Sequence, residues 1–263
     1  MAKRDLAAVR AKVRDVQSVK PEVYKQQRNP IPEASRELKA LGRDALVPML
    51  EALAFDASQP GLSADEKEAL VIGMISAVGE IRDARSTPVL AAILDAQPGS
   101  TPAALAAARA LGKACGSSER QILISKVDGE KLRAAAVQGL GECRTLDSAK
   151  AIAKVAKSSA DGETRKSAVR ALGVVGSSWA WAAEGKADDD EALEVRTLAS
   201  NTLIDIFVAD VNLRTDSKRA VLKCEAPNAL ERVRAAKARA DATTAKALES
   251  LERLIAQSAA RKK

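Results

Sequence analysis

The chain has 263 residues, a formal net charge of +7 and no histidine. The missing histidine excludes a histidine general base, a Ser-His-Asp or Cys-His catalytic arrangement and a histidine-ligated metal. Of its residues 46% are apolar but only 2% are aromatic, so Ala, Val, Leu and Ile dominate. No stretch alternates β-branched and polar residues as a strand would. The composition therefore predicts an all-α protein whose small side chains let helices pack closely.

The N-terminal 33 residues are predicted to form a cap or arm, with an amphipathic helix from Asp5 to Gln17 and a proline-rich connection after it. The first 15 residues are charged throughout and contain no apolar run typical of an export signal. We therefore expect a cytoplasmic protein, the alternative being an exported protein whose signal peptide has been removed. The longest uncharged stretches, of 13 residues, are too short to span a bilayer. The three cysteines are expected to be reduced thiols.

A Leu-Gly pattern recurs through the middle of the chain, with its glycines 29 to 37 residues apart. The copies are Leu41-Gly42, Val78-Gly79, Leu111-Gly112, Leu140-Gly141 and Leu172-Gly173. Later copies carry an arginine seven positions before the apolar residue, at Arg133, Arg165 and, in a degenerate copy ending at Leu203, Arg196. These offsets predict an amphipathic helix in each unit. The glycine is expected to let the chain leave that helix in a left-handed conformation.

Three stretches resemble HEAT-like repeats of the short bacterial type, first named from phycobilin lyases: GEIRDARSTPVL (79–90), DGEKLRAAAVQGLGE (128–142) and DGETRKSAVRALG (161–173). The resemblance covers residues 34–224 and implies a right-handed α-solenoid of about five to six stacked antiparallel helix pairs with helical caps. Because one helix pair cannot bury its own apolar face, the copies must stack. The resemblance also implies that an aspartate caps each first helix and that the arginines bridge to neighbouring acids.

The solenoid is interrupted at residues 177–194, SSWAWAAEGKADDDEALE. Two tryptophans two positions apart on a helix point in nearly opposite directions. One interpretation is a partner-binding surface formed by Trp179, Trp181, Asp188, Asp189 and Asp190. The other is that both tryptophans fill a widened gap between repeats.

Residues 225–263 are predicted to form one long basic capping helix, with a coiled-coil dimer as the alternative. Arg232, Arg239, Lys246 and Arg253 recur every seven residues and form a possible contact for an anionic partner. Residues 1–43 have a charge balance of +6 and residues 214–263 one of +7, so the body between them is acidic.

These features predict a non-catalytic scaffold, without cofactor or metal, that binds a protein or peptide partner through the solenoid groove. The alternative is a nucleic-acid-binding protein that uses the basic terminal helices, as the resemblance to HEAT-like alkylpurine DNA glycosylases would imply. The acidic body and the scarcity of aromatic residues for base stacking count against this alternative.

Overall fold

The computed structural model describes residues 6–17, 31–55, 64–158 and 161–260. These ranges contain fifteen α-helices and no strand, which confirms the all-α prediction. None of the helices in these ranges combines the length and apolar character needed to cross a membrane. The predicted proline-rich connection lies outside the described residues from 18 to 30, and residues 31–33 at its end begin a helix. The chain divides into two compact units, residues 1–139 and 140–263.

The first unit is a set of helices in which alternate helices pack against each other. Its helices are α1 (Leu6–Gln17), α2 (Ile31–Ala40), α3 (Leu46–Phe55), α4 (Ala64–Ile81), α5 (Thr87–Ala96), α6 (Pro102–Ala114), α7 (Ser117–Val127) and α8 (Arg133–Glu142), which continues into the second unit. α2 packs against α4 and α4 against α6, while α3 packs on α4 and both α5 and α7 pack on α6.

The second unit contains the helices α9 (Leu146–Ser158), α10 (Gly162–Val175), α11 (Ser178–Ala183), α12 (Asp190–Ala209), α13 (Arg214–Cys224), α14 (Ala229–Lys237) and α15 (Ala242–Ala260). α9 packs against both α10 and α12, and α13 also packs against both α10 and α12. α14 packs on α12 and on α15.

The glycines of the Leu-Gly copies lie inside helices, except for Gly42. Gly42 has a left-handed φ of 69°, as predicted, but Gly79, Gly112, Gly141 and Gly173 lie within α4, α6, α8 and α10. The expectation of a left-handed exit is therefore wrong for these four glycines, although each helix ends within two residues of its glycine. Their role is close approach, since a β-carbon at Gly79 would lie 2.8 Å from Ala110.

The same close approach recurs in every later copy. A β-carbon at Gly112 would lie 1.9 Å from the carbonyl oxygen of Gly139, and one at Gly141 would lie 3.2 Å from the β-carbon of Ala171. A β-carbon at Gly112 would clash with the backbone, and one at Gly141 would require the neighbouring helix to shift by a few tenths of an ångström. In each case the residue approached stands directly before the apolar residue of the next copy.

This rule corrects the assignment of the last copy. Gly173 approaches Ala220, at 2.8 Å, and Ala220 stands directly before Val221. The next copy therefore ends at Val221 and Leu222, with Arg214 seven positions before Val221, and the predicted copy at Leu203 is wrong. The physical reason is the short extra helix α11, after which α12 packs beside α9 and α13 beside α10.

The repeated arginines stabilise helix ends. Arg133 Nε donates to Val127 O at 2.8 Å, Arg165 Nε to Ala156 O at 3.3 Å and Arg214 Nε to Phe207 O at 3.1 Å. Each guanidinium thus satisfies a carbonyl at or near the C-terminal end of the preceding helix, where a cation is favoured. The bridging to acids implied by the family resemblance is seen at Arg165, whose Nη1 lies 2.9 Å from Asp210 Oδ2. The implied aspartate cap is seen at Asp161, which accepts from Glu163 N and Thr164 N at the start of α10.

The C-terminal region consists of two helices, so the prediction of one long helix is wrong. α14 ends at Lys237, and Asp241 caps α15 by accepting from Thr243 N at 2.9 Å and Thr244 N at 3.0 Å. The two helices pack on each other, and Glu252 of α15 pairs with Arg234 and Lys237 of α14 across this contact.

The cysteines also differ from expectation. Cys115 and Cys143 are disulfide-bonded, whereas Cys224 is free and fully buried. The expectation of three reduced thiols is therefore wrong for two of them.

Candidate interaction site

The two tryptophans of α11 have opposite environments. Trp179 is 79% exposed, whereas Trp181 is 2% exposed and its Nε1 donates to Val175 O at 2.9 Å. The contact interpretation requires an exposed indole, as at Trp179, and the gap-filling interpretation requires a buried one, as at Trp181. Trp181 belongs to the core of the second unit, so of the predicted contact pair only Trp179 lies at the surface.

The position of Trp179 is set by contacts at both ends of α11. Ser177 caps the start of the helix, and Gly185, with a left-handed φ of 73°, lies in the turn that follows its end. The Ser178 hydroxyl donates to Glu225 Oε2, which joins α11 to the C-terminal end of α13. Trp181 is buried in the core and Ser178 is hydrogen-bonded to Glu225, so α11 is fixed to the rest of the unit while the Trp179 side chain is exposed to solvent.

The acidic residues that follow α11 form two groups, glutamates that contact the start of α9 and aspartates that are exposed. Glu184 accepts from Arg144 Nη1, and Glu191 Oε1 accepts from Leu146 N at 3.0 Å, so the flanking glutamates bind the segment that begins α9. Between them Asp188, Asp189 and Asp190 are exposed. Asp189 and Asp190 also lie at the N-terminal end of α12, where the helix dipole favours negative charge. The three predicted aspartates thus form an exposed acidic segment close to Trp179 in sequence.

The four basic residues predicted as one stripe are not on one helix. Arg232 lies on α14 and its Nη2 pairs with Asp205 Oδ1 at 2.5 Å, while Arg239 is an exposed residue of the turn before α15. Lys246 and Arg253 are both exposed on α15, seven residues apart and therefore on one face. The stripe is interrupted because the helix breaks between residues 237 and 242.

Sequence reasoning missed a second feature of this unit, a cavity at the end of α13 whose polar lining residues are Arg196, Glu225 and Ser258. The sequence predicts Arg196 as the repeated arginine of a helical unit and singles out neither Glu225 nor Ser258, because the three residues meet only when α12, α13 and α15 pack together. Among the described residues no group of three or more Cys, Asp or Glu side chains could hold a metal ion.

No protein-family model matches the chain, and no curated protein matches it. The resemblance to HEAT-like repeats therefore depends on the repeated motifs themselves.

Proposed function

We propose that the chain is a HEAT-like α-solenoid that acts as a non-catalytic interaction scaffold for a protein or peptide partner. Support for the stacking comes from the glycine contacts, which recur at each copy from Gly79 to Gly173. A helix that approaches its neighbour so closely at every copy fits the nearest-neighbour packing of repeat proteins.

The single observation that carries the binding proposal is the exposure of Trp179. A tryptophan that is 79% exposed leaves a large apolar surface in water, and tryptophan is the residue most enriched among energetic anchors of interfaces. Because α11 is held by Trp181 and Ser178, little ordering is needed when a partner covers Trp179. The exposed Asp188, Asp189 and Asp190 favour a partner segment with positive charge.

Affinity capture from native lysate tests this proposal with three matched proteins: wild type, Trp179→Ala and Val211→Ala. Val211 is 66% exposed and lies in the same unit, so it controls for the loss of any exposed apolar side chain. We expect one retained partner to be lost with Trp179→Ala and kept with Val211→Ala. Equal retention by all three proteins, or the absence of a retained partner, would contradict the proposal.

A second candidate function is nucleic-acid binding, which the exposed Lys246 and Arg253 on one face of α15 favour. Filter binding of double-stranded DNA at low and moderate salt tests it. Binding that falls steeply with salt and is reduced by Lys246→Gln with Arg253→Gln would support this function over a protein partner. Salt-insensitive or undetectable binding would exclude it.

The cysteines bear on the compartment. The sequence predicts a cytoplasmic location, but the disulfide-bonded Cys115 and Cys143 favour the exported alternative, because disulfides persist mainly in oxidising environments. A count of free thiols in protein purified without reductant tests the observation on which this preference depends.

A further inference from the structure

A cavity of about 380 Å³ lies at the C-terminal end of α13 in the second unit. Its apolar wall includes Val221, Leu222, Leu230 and Ile255. Interiors of folded proteins contain few voids larger than a water molecule, and this volume lies in the range of small-molecule sites. The exposed residues Pro227 and Ala259 also line the cavity, so it is open at its rim.

The cavity lies at the end of the glycine repeat. From Gly79 to Gly173 the glycine of each copy lets another helix approach closely, but the last copy has Leu222 in the glycine position. Leu222 lines the cavity together with residues of α14 and α15, and α13 packs on α15 beside it. The departure from the repeat and the cavity therefore coincide at one residue.

Two opposite charges lie in the cavity wall. The Arg196 guanidinium donates to three backbone carbonyl oxygens, of Cys224 at 2.9 Å, Glu225 at 2.5 Å and Ala187 at 3.3 Å. The Glu225 carboxylate accepts from the hydroxyls of Ser178 and Ser258, the latter at 3.5 Å. Because the cation and the anion offset each other, a net charge on a ligand would gain little and would lose its hydration.

Among the residues that line the cavity, Ser258 has the one neutral polar side chain. Its hydroxyl lies 3.5 Å from Glu225 Oε1, and its oxygen carries two lone pairs that can accept a hydrogen bond from a ligand. We infer that the cavity binds an uncharged, apolar small molecule, of about two fused rings, whose single N–H or O–H donates to Ser258 Oγ. This site is separate from the surface around Trp179 and does not depend on the proposed function.

Indole is a suitable probe because it is uncharged and apolar and carries one N–H, while 1-methylindole has the same rings without the donor. Titration of the ¹⁵N-labelled full chain, followed by backbone amide shifts, measures both affinities. We expect saturable shifts at Leu222, Ala226 and Ile255, with indole bound about fivefold more tightly than 1-methylindole, the contribution of one hydrogen bond. Ser258→Ala should remove this preference while leaving 1-methylindole binding unchanged.

Ala259→Phe should block the rim and weaken binding of both compounds at least tenfold, since an added ring at this exposed position occupies the entrance rather than the core. Ala256→Phe is the matched control, because Ala256 is an exposed residue of the same helix that does not line the cavity. Trp179→Ala should leave indole binding unchanged, which separates this site from the proposed partner surface. Non-saturable shifts, equal effects of the two phenylalanine variants, or an indole preference that survives Ser258→Ala would overturn the inference.

Discussion

Ala220 lies against Gly173 as Ala171 lies against Gly141: a β-carbon on either glycine would come within 2.8 or 3.2 Å of the alanine β-carbon. The two contacts are equivalent although α8 and α10 are separated along the chain by α9 alone, whereas α10 and α13 are separated by α11 and α12. The repeat is therefore defined by where helices approach each other and not by even spacing along the chain.

The closest of these contacts predicts a large loss of stability. In Gly112→Ala the new β-carbon would lie 1.9 Å from the carbonyl oxygen of Gly139, so backbone must move, and we expect a cost of about 3 kcal/mol. Gly162→Ala is the control, because a β-carbon there meets no atom within 4 Å and stability should change by less than about 1 kcal/mol. Urea unfolding followed by circular dichroism measures both; similar midpoints for the two variants would contradict close helix approach.

The tryptophans are predicted to differ in their contribution to stability. Trp181→Ala should lower the free energy of unfolding by about 3–5 kcal/mol, since it empties a buried site and removes the hydrogen bond to Val175 O. Trp179→Ala should change it by less than about 0.5 kcal/mol. In acrylamide quenching, the protein that keeps only Trp179 should be quenched far more strongly than the protein that keeps only Trp181. The reverse order would place Trp179 in the core.

Arg214 is predicted to stabilise the contact between α12 and α15. Its guanidinium donates to Phe207 O at 3.1 Å and to Thr244 Oγ1 at 2.8 Å, and lies 5.8 Å from the centre of the Phe207 ring. Arg214→Met should cost about 2 kcal/mol, because these acceptors lose their partner while the apolar stem is kept. Arg219→Met, at an exposed position of the same helix, should have little effect on thermal unfolding. Equal melting temperatures for the two variants would refute this role.

The carboxyl group of Asp83 is predicted to titrate far below its ordinary range. Hydrogen bonds from the Arg85 side chain, and then from its backbone N–H, lower the pKa of Asp83 to about 2. The ionised group is thus favoured in the folded state, so its stabilising contribution is present above about pH 4 and is lost as the pH falls through about 2. Carbon-13 titration of the Asp83 carboxyl checks the value. Arg85→Ala should raise the midpoint towards 3.8, and an unchanged midpoint would exclude Arg85 as the cause.

Thiol titration tests the cysteine assignment. Protein purified without reductant and unfolded in guanidinium should react with Ellman's reagent at one thiol per chain, and at three after reduction, because Cys115 and Cys143 are disulfide-bonded. In the folded protein Cys224 should not react, since complete burial raises its pKa to about 12. Three reactive thiols before reduction would contradict the disulfide-bonded state of Cys115 and Cys143 and would favour the cytoplasmic location.

The sequence by itself determined the helical class and many helix ends, because capping and apolar periodicity are interactions within about one helical turn. Thr101, followed by Pro102, caps α6 by accepting from Ala104 N, as its position in the sequence indicates. Ser177 and Asp161 cap their helices in the same local way.

Only the tertiary structure decided which helices meet. The sequence of the C-terminal region predicts one helix, whereas the structure shows that the helix ends at Lys237, that Asp241 caps a second helix, and that the two pack on each other. Likewise, the register of the last repeat, the separate environments of the two tryptophans and the cavity beside Leu222 depend on contacts between residues distant along the chain. Local patterns specify that a helix forms, whereas the free energy that selects its neighbour comes from packing surfaces that the pattern does not contain.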